Sequence, residues 1–241
     1  MESIDFNESR WADHKFSQDY RDEANYYLPF RQLFIEAAKS VVEHFLPEKE
    51  PLRLLDLGCG DGFFIDKFGP ASSDEVLLVD GSTAMLEAAQ KRLRASSCKN
   101  IRYIHSSFQE LLARDPLPRH FDFIFSSLAI HHLSAIDKVN LYNYIYNNLE
   151  KNGVFINYDV VLAPSKPLES WYISFWQEFI ERNTPPEMKE KILRVPYQYK
   201  DNPDNIPDTL EYQLKALKEI GFSNVDCYFK LGVFCLFGGT R

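Results

Sequence analysis

Residues 54–62 read LLDLGCGDG: a short apolar run, an acid, then glycines at 58, 60 and 62. Three of the chain's ten glycines fall within five residues. Glycine is used where a backbone must turn tightly or let a ligand come close. The run before it (Leu52, Leu54, Leu55, Leu57) reads as a buried strand, and the stretch after it (Phe63, Phe64, Ile65, Phe68) as the opening of a helix. Strand, glycine turn and helix in that order make a nucleotide-type site if the rest of the chain agrees.

Outward from that turn the chain alternates. Upstream, residues 30–46 (FRQLFIEAAKSVVEHFL) place apolar side chains at helical spacing, and Pro47 ends the helix. Downstream, the first strand at 52–57 and its helix from about 62 are followed by a strand at 75–80 (EVLLVD). A helix at 82–95 has Ser82 or Thr83 as N-cap. Then come a strand at 101–105, a short helix (FQELLA), a strand at 121–127 and a helix at 134–151 that Asn152-Gly153 stops. The fifth strand is 154–161. Such alternation predicts an α/β protein whose parallel sheet is covered on both faces. Residues 163–208 break the pattern with seven prolines and an aromatic helix, SWYISFWQEFIERN, before a helix at 208–220. The ending, 225–239, reads as two strands around a tight Lys-Leu-Gly turn.

At 241 residues, with 45% hydrophobic side chains, the chain suits one domain with a modest insertion. A net charge of −8 removes any general attraction to phosphate backbones or anionic lipid. No segment approaches the roughly 18 apolar residues of a membrane span, and the acidic start MESIDFNESRW is unlike a signal peptide. Cys59, Cys98, Cys227 and Cys235 show neither zinc-ligand spacing nor a redox CxxC, so no metal is expected; free thiols in a reducing cytoplasm are. Cys98 is placed in a polar loop.

Three readings compete for GCGDG. A dehydrogenase fingerprint needs glycine or alanine where Phe63 stands. A phosphate-cradling loop needs Gly-Lys-Ser/Thr, which is absent. The third is the glycine turn of the class I S-adenosylmethionine-dependent methyltransferases. LDLGCGDG resembles that family's first motif, VLLVDGSTAML its second, FDFIFSSLAIHHL its fourth-strand motif, LEKNGVFINYDVV the helix, turn and fifth strand after it, and FKLGVFCLFGG its sixth and seventh strands. The blocks run in the family's order over about 30–161 and 208–239. The chain is similar to the small-molecule type, a group compared with the tRNA carboxymethoxyuridine methyltransferases. The resemblance implies a Rossmann-like, seven-stranded, mostly parallel sheet with helices on both faces and an antiparallel C-terminal hairpin. Around it, the single 1–241 domain would carry helical lids: an N-terminal segment at 1–29 and an insertion at 163–208 over the active site.

Carried onto this sequence, the resemblance implies S-adenosyl-L-methionine as cofactor and S-adenosyl-L-homocysteine as product. Asp80, ending the second strand, would accept from both ribose hydroxyls, as a carboxylate can. Gly58, Cys59 and Gly60 would line the methionine portion by backbone, with Asp56 ordering the turn or accepting from the ammonium group. Gly81 and Ser82 join this set. Met85 falls where an apolar residue packs on adenine, or else in the core. Ser107 and Phe108 follow the third strand, where many members carry an acid; here a hydroxyl or the backbone would take its place. Ser127 and Leu128, ending the fourth strand, lie beside the reacting sulfonium. Tyr20 and Arg31 complete the cofactor set, Arg31 near the cofactor carboxylate or simply solvated.

Methyl transfer from a sulfonium is an in-line displacement in which alignment supplies much of the rate. A base is needed only if the nucleophile arrives protonated. Candidates are His131, His132 and Asp159, near the carboxyl ends of strands four and five. Trp11, Tyr20, Tyr26, Tyr27, Trp171, Phe175 and Trp176 would form the substrate's container, with the helix at 170–180 a mobile lid. The expected partner is a small-molecule acceptor methylated at O or N, with no membrane; tRNA is disfavoured by the acidity but left open. Other readings are a non-catalytic cofactor-binding protein and an enzyme that uses a carboxylated cofactor.

Overall fold

The computed structural model describes residues 3–47, 49–114, 117 and 120–241. Two 3-10 turns (Phe6–Glu8, Arg10–Ala12) lead into α1 (His14–Tyr27) and α2 (Arg31–Phe45). The alternating core runs β1 (Arg53–Leu57), α3 (Phe63–Phe68), β2 (Glu75–Asp80), α4 (Thr83–Arg92), β3 (Asn100–His105), α5 (Phe108–Leu112), β4 (Phe121–Ser127), α6 (Ala135–Asn148) and β5 (Leu149–Val160). The insertion holds α7 (Lys166–Asn183), α8 (Lys189–Ile192) and α9 (Val195–Asp201), and the chain ends with α10 (Leu210–Ile220), β6 (Ser223–Leu231) and β7 (Phe234–Thr240).

The seven strands lie in the order β3-β2-β1-β4-β5-β7-β6. The first five pair in parallel, and β7 runs antiparallel to both β5 and β6. This is the architecture expected from the sequence. Central strands read as continuous apolar runs because both faces are covered. Leu54, Leu78, Phe123 and Ile156 pack on one side with Phe34 and Ile35 of α2 and Ile65 of α3. Leu55, Val79, Ile124 and Phe155 pack on the other with Leu141 and Tyr142 of α6 and Leu217 of α10. Side chains alternating at period two thus serve two separate cores.

The order reverses between β1 and β4, which opens a crevice at the carboxyl ends of the central strands. Side-chain caps set the helices that rim it. Ser82 Oγ accepts from the Met85 backbone N–H at the start of α4, and Ser107 with Glu110 forms a capping box on α5.

Several expectations are corrected. The helix expected to reach 151 stops at Asn148, and β5 begins at Leu149. Asn152 (φ 65°) and Gly153 therefore bend a strand rather than end a helix, paired with Arg241 through backbone bonds of 2.9 and 3.0 Å. The insertion at 163–208 is helical as expected, and Pro196 sits in the first turn of α9, where its missing N–H is harmless. Cys98 lies in the loop before β3, as expected, and its side chain is buried there at 2% exposed, with the thiol directed at the Asp74 carbonyl. All four cysteines are free thiols.

Candidate functional site

The crevice is built around two glycines with different tasks. Gly58 (φ +68°) ends β1, and a Cβ there would lie 2.4 Å from the Cβ of Ala129 after β4. It is the close-approach glycine that lets the two loops touch. Gly60 (φ +53°) would present a Cβ to open space, with no atom within 4 Å. Its backbone is bare to whatever fills the crevice.

Asp80 holds this turn. Its Oδ2 accepts from the Gly60 N–H and its Oδ1 from the Ser82 N–H, both at 2.8 Å. Burial pushes its pKa up to about 6, even though these two donors stabilise the charge. Each oxygen keeps a further lone pair for an incoming hydroxyl.

Three cavities meet here. A cleft of about 120 Å³ runs past Gly58, Gly60, Asp80, Gly81, Met85, Ser107 and Phe108 to Ser127 and Leu128. Its front wall is the N-terminal segment: Ile4, Phe6, Ser9 and Trp11. A Cβ on Gly81 would strike the Phe6 ring at 2.6 Å. A smaller cavity holds Arg31 and Cys59 with Tyr20, Gly58, Gly60 and Ser127. In it the Arg31 guanidinium lies 3.6 Å over the Phe63 ring. A chamber of about 660 Å³ opens on the other side of Leu128, walled by Trp11, Tyr27, Trp176, Tyr199 and His131. Tyr20 borders all three.

Two expected cofactor residues sit apart from these walls. Asp56 is fully buried, has no hydrogen-bond partner for either oxygen, and lines none of the three cavities. Burial, together with the neighbouring Asp80, pushes its pKa well above the usual carboxylate range. Ser82 lines none of them either; it caps α4 and donates to Asp80. Of the aromatic container, Tyr26, Trp171 and Phe175 are not in the chamber wall.

The histidine doublet divides its labour. His131 faces the chamber and His132 the cleft. Asp159 Oδ1 accepts from His131 Nδ1–H at 2.6 Å and from the Val160 N–H at 2.9 Å. Its Oδ2 accepts from the His131 N–H at 2.9 Å and from Asn157 Nδ2 at 3.4 Å. A carboxylate only accepts, so His131 carries a proton on Nδ1, which in the neutral imidazole makes Nε2 the basic nitrogen. Asp159 is 1% exposed and lines none of the three cavities, and its two bonds to His131 fix the orientation of the imidazole. His132 Nδ1–H donates to the Asp204 carbonyl at 2.7 Å, and its buried Nε2 has no partner. Burial, and then His131 beside it, lower its pKa well below the usual histidine value, so His132 is neutral at physiological pH.

One segment escaped the sequence reading. Residues 202–208 strap across the doublet: the Ile206 N–H donates to the His131 carbonyl at 2.8 Å, and the fully buried Lys138 anchors Asp208 at 2.6 Å. The signal was there in Asn202-Pro203-Asp204 and Ile206-Pro207-Asp208. These dipeptides announce a rigid turn but not what it crosses. Among the described residues, no group of three or more His, Cys, Asp or Glu side chains is placed to hold a metal.

Comparison with known proteins agrees with this geometry. A family model described as a methyltransferase domain matches residues 54–153. A protein of Nautilia profundicola named carboxy-S-adenosyl-L-methionine synthase is 21% identical over 244 residues, covering 98% of each chain. The fold is shared with an S-adenosylmethionine-dependent methyltransferase from Clostridium acetobutylicum (TM-score 0.61, 15% identity, 94% of this chain and 97% of that one). It is shared too with an O-methyltransferase family protein from Burkholderia thailandensis (TM-score 0.62, 14% identity, 98% of this chain). The present chain spans 62% of the Burkholderia protein's length.

Proposed function

We propose that this chain, whose residues 54–153 match a methyltransferase-domain model, is a class I S-adenosylmethionine-dependent methyltransferase that methylates an O or N atom of a small molecule held in the chamber beside Leu128 and His131. The observation that carries this reading is the His131–Asp159 pair, which sets the imidazole in the wall of a chamber that shares Trp11, Tyr20 and Leu128 with the cleft. At about 660 Å³ the chamber falls within the roughly 300–1,000 Å³ of small-molecule sites.

The cleft fits S-adenosylmethionine. Asp80 would hold the ribose hydroxyls, the bare backbone at Gly60 would lie against the methionine chain, and Met85, Phe6 and Phe108 would sandwich the base. The Arg31 and Cys59 cavity would receive the amino-acid end. When bound, the cofactor supplies a methyl group already activated on a sulfonium. The chain's own residues then have three tasks. Trp11, Tyr20 and Leu128 keep water from the junction; the aromatic wall fixes the acceptor's direction of approach; His131 Nε2 takes the proton from an O–H or N–H nucleophile. In this reading residues 1–29 and 163–208 are substrate-facing parts of one domain.

The test is a methyl-transfer screen over phenols, amines, carboxylic acids and tRNA, repeated with His131→Gln. Transfer to a small acceptor that collapses in the variant supports the reading; transfer to tRNA alone overturns it. A second reading comes from the full-length relative named carboxy-S-adenosyl-L-methionine synthase, in which the cofactor itself is the molecule altered. The mass of the nucleoside recovered after turnover separates the two: loss of a methyl group favours the first reading, gain of a carboxyl group the second.

A further inference from the structure

We propose that the chamber selects an acceptor that carries a negative charge, and that Arg10 is the residue that binds it. This rests on the methyl-transfer reading above, and adds to it the chemical class of the substrate.

Arg10 lies on the chamber wall, with its side chain only 25% exposed. Its guanidinium carbon sits 4.8 Å from the Phe16 ring centre and 5.9 Å from that of Trp11. Two aromatic rings therefore steady the plane without using its donors. Nη2 donates to Asn205 Oδ1 at 3.1 Å. Nε is buried without a hydrogen bond, 3.5 Å from Asp204 Oδ2. That same carboxylate oxygen already accepts from the Arg10 backbone N–H at 3.1 Å. Of five guanidinium N–H donors, one makes a hydrogen bond among the described residues.

The other chamber cations differ. Lys191 is bonded to Glu23, and Arg194 to Glu190 at 2.8 Å with both side chains largely in water. Arg10 also has an anion beside it, Asp204 at 3.5 Å, but that carboxylate accepts from the Arg10 backbone and makes no hydrogen bond to the guanidinium; Nε is left buried and unfilled, and burial lowers the pKa against the opposing pull of Asp204. Such a group is costly until an anion meets it, and a planar oxyanion matches its fork better than any neutral partner. Asp204 ties this subsite to the reacting end, since its carbonyl holds His132 beside His131. An acceptor with its charge on Arg10 would thus lie across the aromatic wall with its nucleophile toward His131.

The test uses three probes that share a phenol and differ in charge: 4-hydroxybenzoate, 4-hydroxybenzyl alcohol and tyramine. Each is titrated into the protein saturated with S-adenosylhomocysteine, and binding is read calorimetrically, with no turnover required. The benzoate should bind about tenfold or more tighter than the other two, the effect of one charge-assisted hydrogen bond. Arg10→Gln should erase that preference and Arg10→Lys keep part of it, while both retain wild-type affinity for S-adenosylhomocysteine as evidence of folding. Equal or weaker binding of the benzoate by the wild type, no binding of the benzoate, or a preference that survives Arg10→Gln overturns the proposal. The wild-type comparison decides even if Arg10→Gln does not fold. The parent reading fails separately: charge preference without methyl transfer to any acceptor sinks that reading alone. Methyl transfer to neutral acceptors, unchanged by Arg10→Gln, sinks this one alone.

Discussion

His131 is held twice by Asp159: its ring Nδ1–H donates to one carboxylate oxygen at 2.6 Å and its backbone N–H to the other at 2.9 Å. Residues 28 apart in sequence are thus locked into one unit, in which the acid from β5 decides which imidazole nitrogen carries the proton.

The first prediction concerns that unit. Asp159→Asn turns an amide toward donors and favours the tautomer with the proton on Nε2, the wrong one for a base. Turnover should fall by about 10²–10⁴ with little change in cofactor affinity, and His131→Gln should fall similarly. The loss should shrink at high pH, where the acceptor deprotonates itself. Normal turnover per folded molecule in either variant would return the pair to a packing role.

Cofactor affinity should depend on pH through Asp80. Its carboxylate is the form that accepts from ribose hydroxyls, and burial places its pKa at about 6. Affinity should therefore be constant well above pH 6, decline as pH falls through that value, and be accompanied there by proton release on binding. Titration calorimetry in two buffers of different ionisation enthalpy reads both. Asp80→Ala should remove the pH step and weaken binding by about 2–3 kcal/mol.

The glycines should separate by assay. Gly58→Ala puts a methyl into Ala129 and strains a left-handed backbone, so thermal stability should drop by about 1–3 kcal/mol. Gly60→Ala meets no atom of the chain, so it should cost about 1 kcal/mol in stability but strongly weaken S-adenosylhomocysteine binding. Equal binding losses in the two would mean that the cofactor does not lie against Gly60.

Helix α7 should behave as core on one face and surface on the other. Trp176 is 4% exposed, donates to the Tyr27 carbonyl at 2.6 Å and packs on Phe234; Trp171 is 59% exposed. Truncation of Trp176 to Ala should cost about 3–5 kcal/mol, and of Trp171 well under 1 kcal/mol. The aromatic helix at 170–180 expected as a mobile lid is thus anchored by its inner face. Chemical denaturation of the two variants measures the difference.

The front wall of the cleft is a better candidate for movement. Ile4 and Phe6 close a space of about 120 Å³, and the segment is held by polar contacts such as Gln109 to the Ile4 carbonyl at 3.2 Å. Phe6→Ala should speed both association and release of S-adenosylhomocysteine, as stopped-flow fluorescence of Trp11 would show.

Local chemistry wrote much of this molecule into its sequence. Largely apolar runs at 54–57, 75–79 and 121–125, glycines at 58 and 60, an acid at 80 and a capping serine at 82 each act over a few residues, so the strands, the glycine turn and the acid that ends the second strand are legible without coordinates. Asp56 reads just as clearly as a site residue, yet alternation along β1 turns it beneath the turn and away from the cavities. The chamber was legible only in part: Trp11, Tyr20, Tyr27 and Trp176 were expected around the substrate, but Arg10 and Tyr199 were not, because its walls come from residues far apart in the chain, with Arg10 and Trp11 before α1, His131 after β4, Trp176 on α7 and Tyr199 on α9. No short-range pattern encodes contacts between such segments. They follow from which faces α1 and α7 bury against the sheet, and from Lys138, Ile206 and Asp208 drawing 202–208 across the histidines. Which histidine is tied to an acid was decided there as well. His131 and His132 are adjacent and alike in sequence, and only the register of β5, placing Asp159 behind one ring, makes them different.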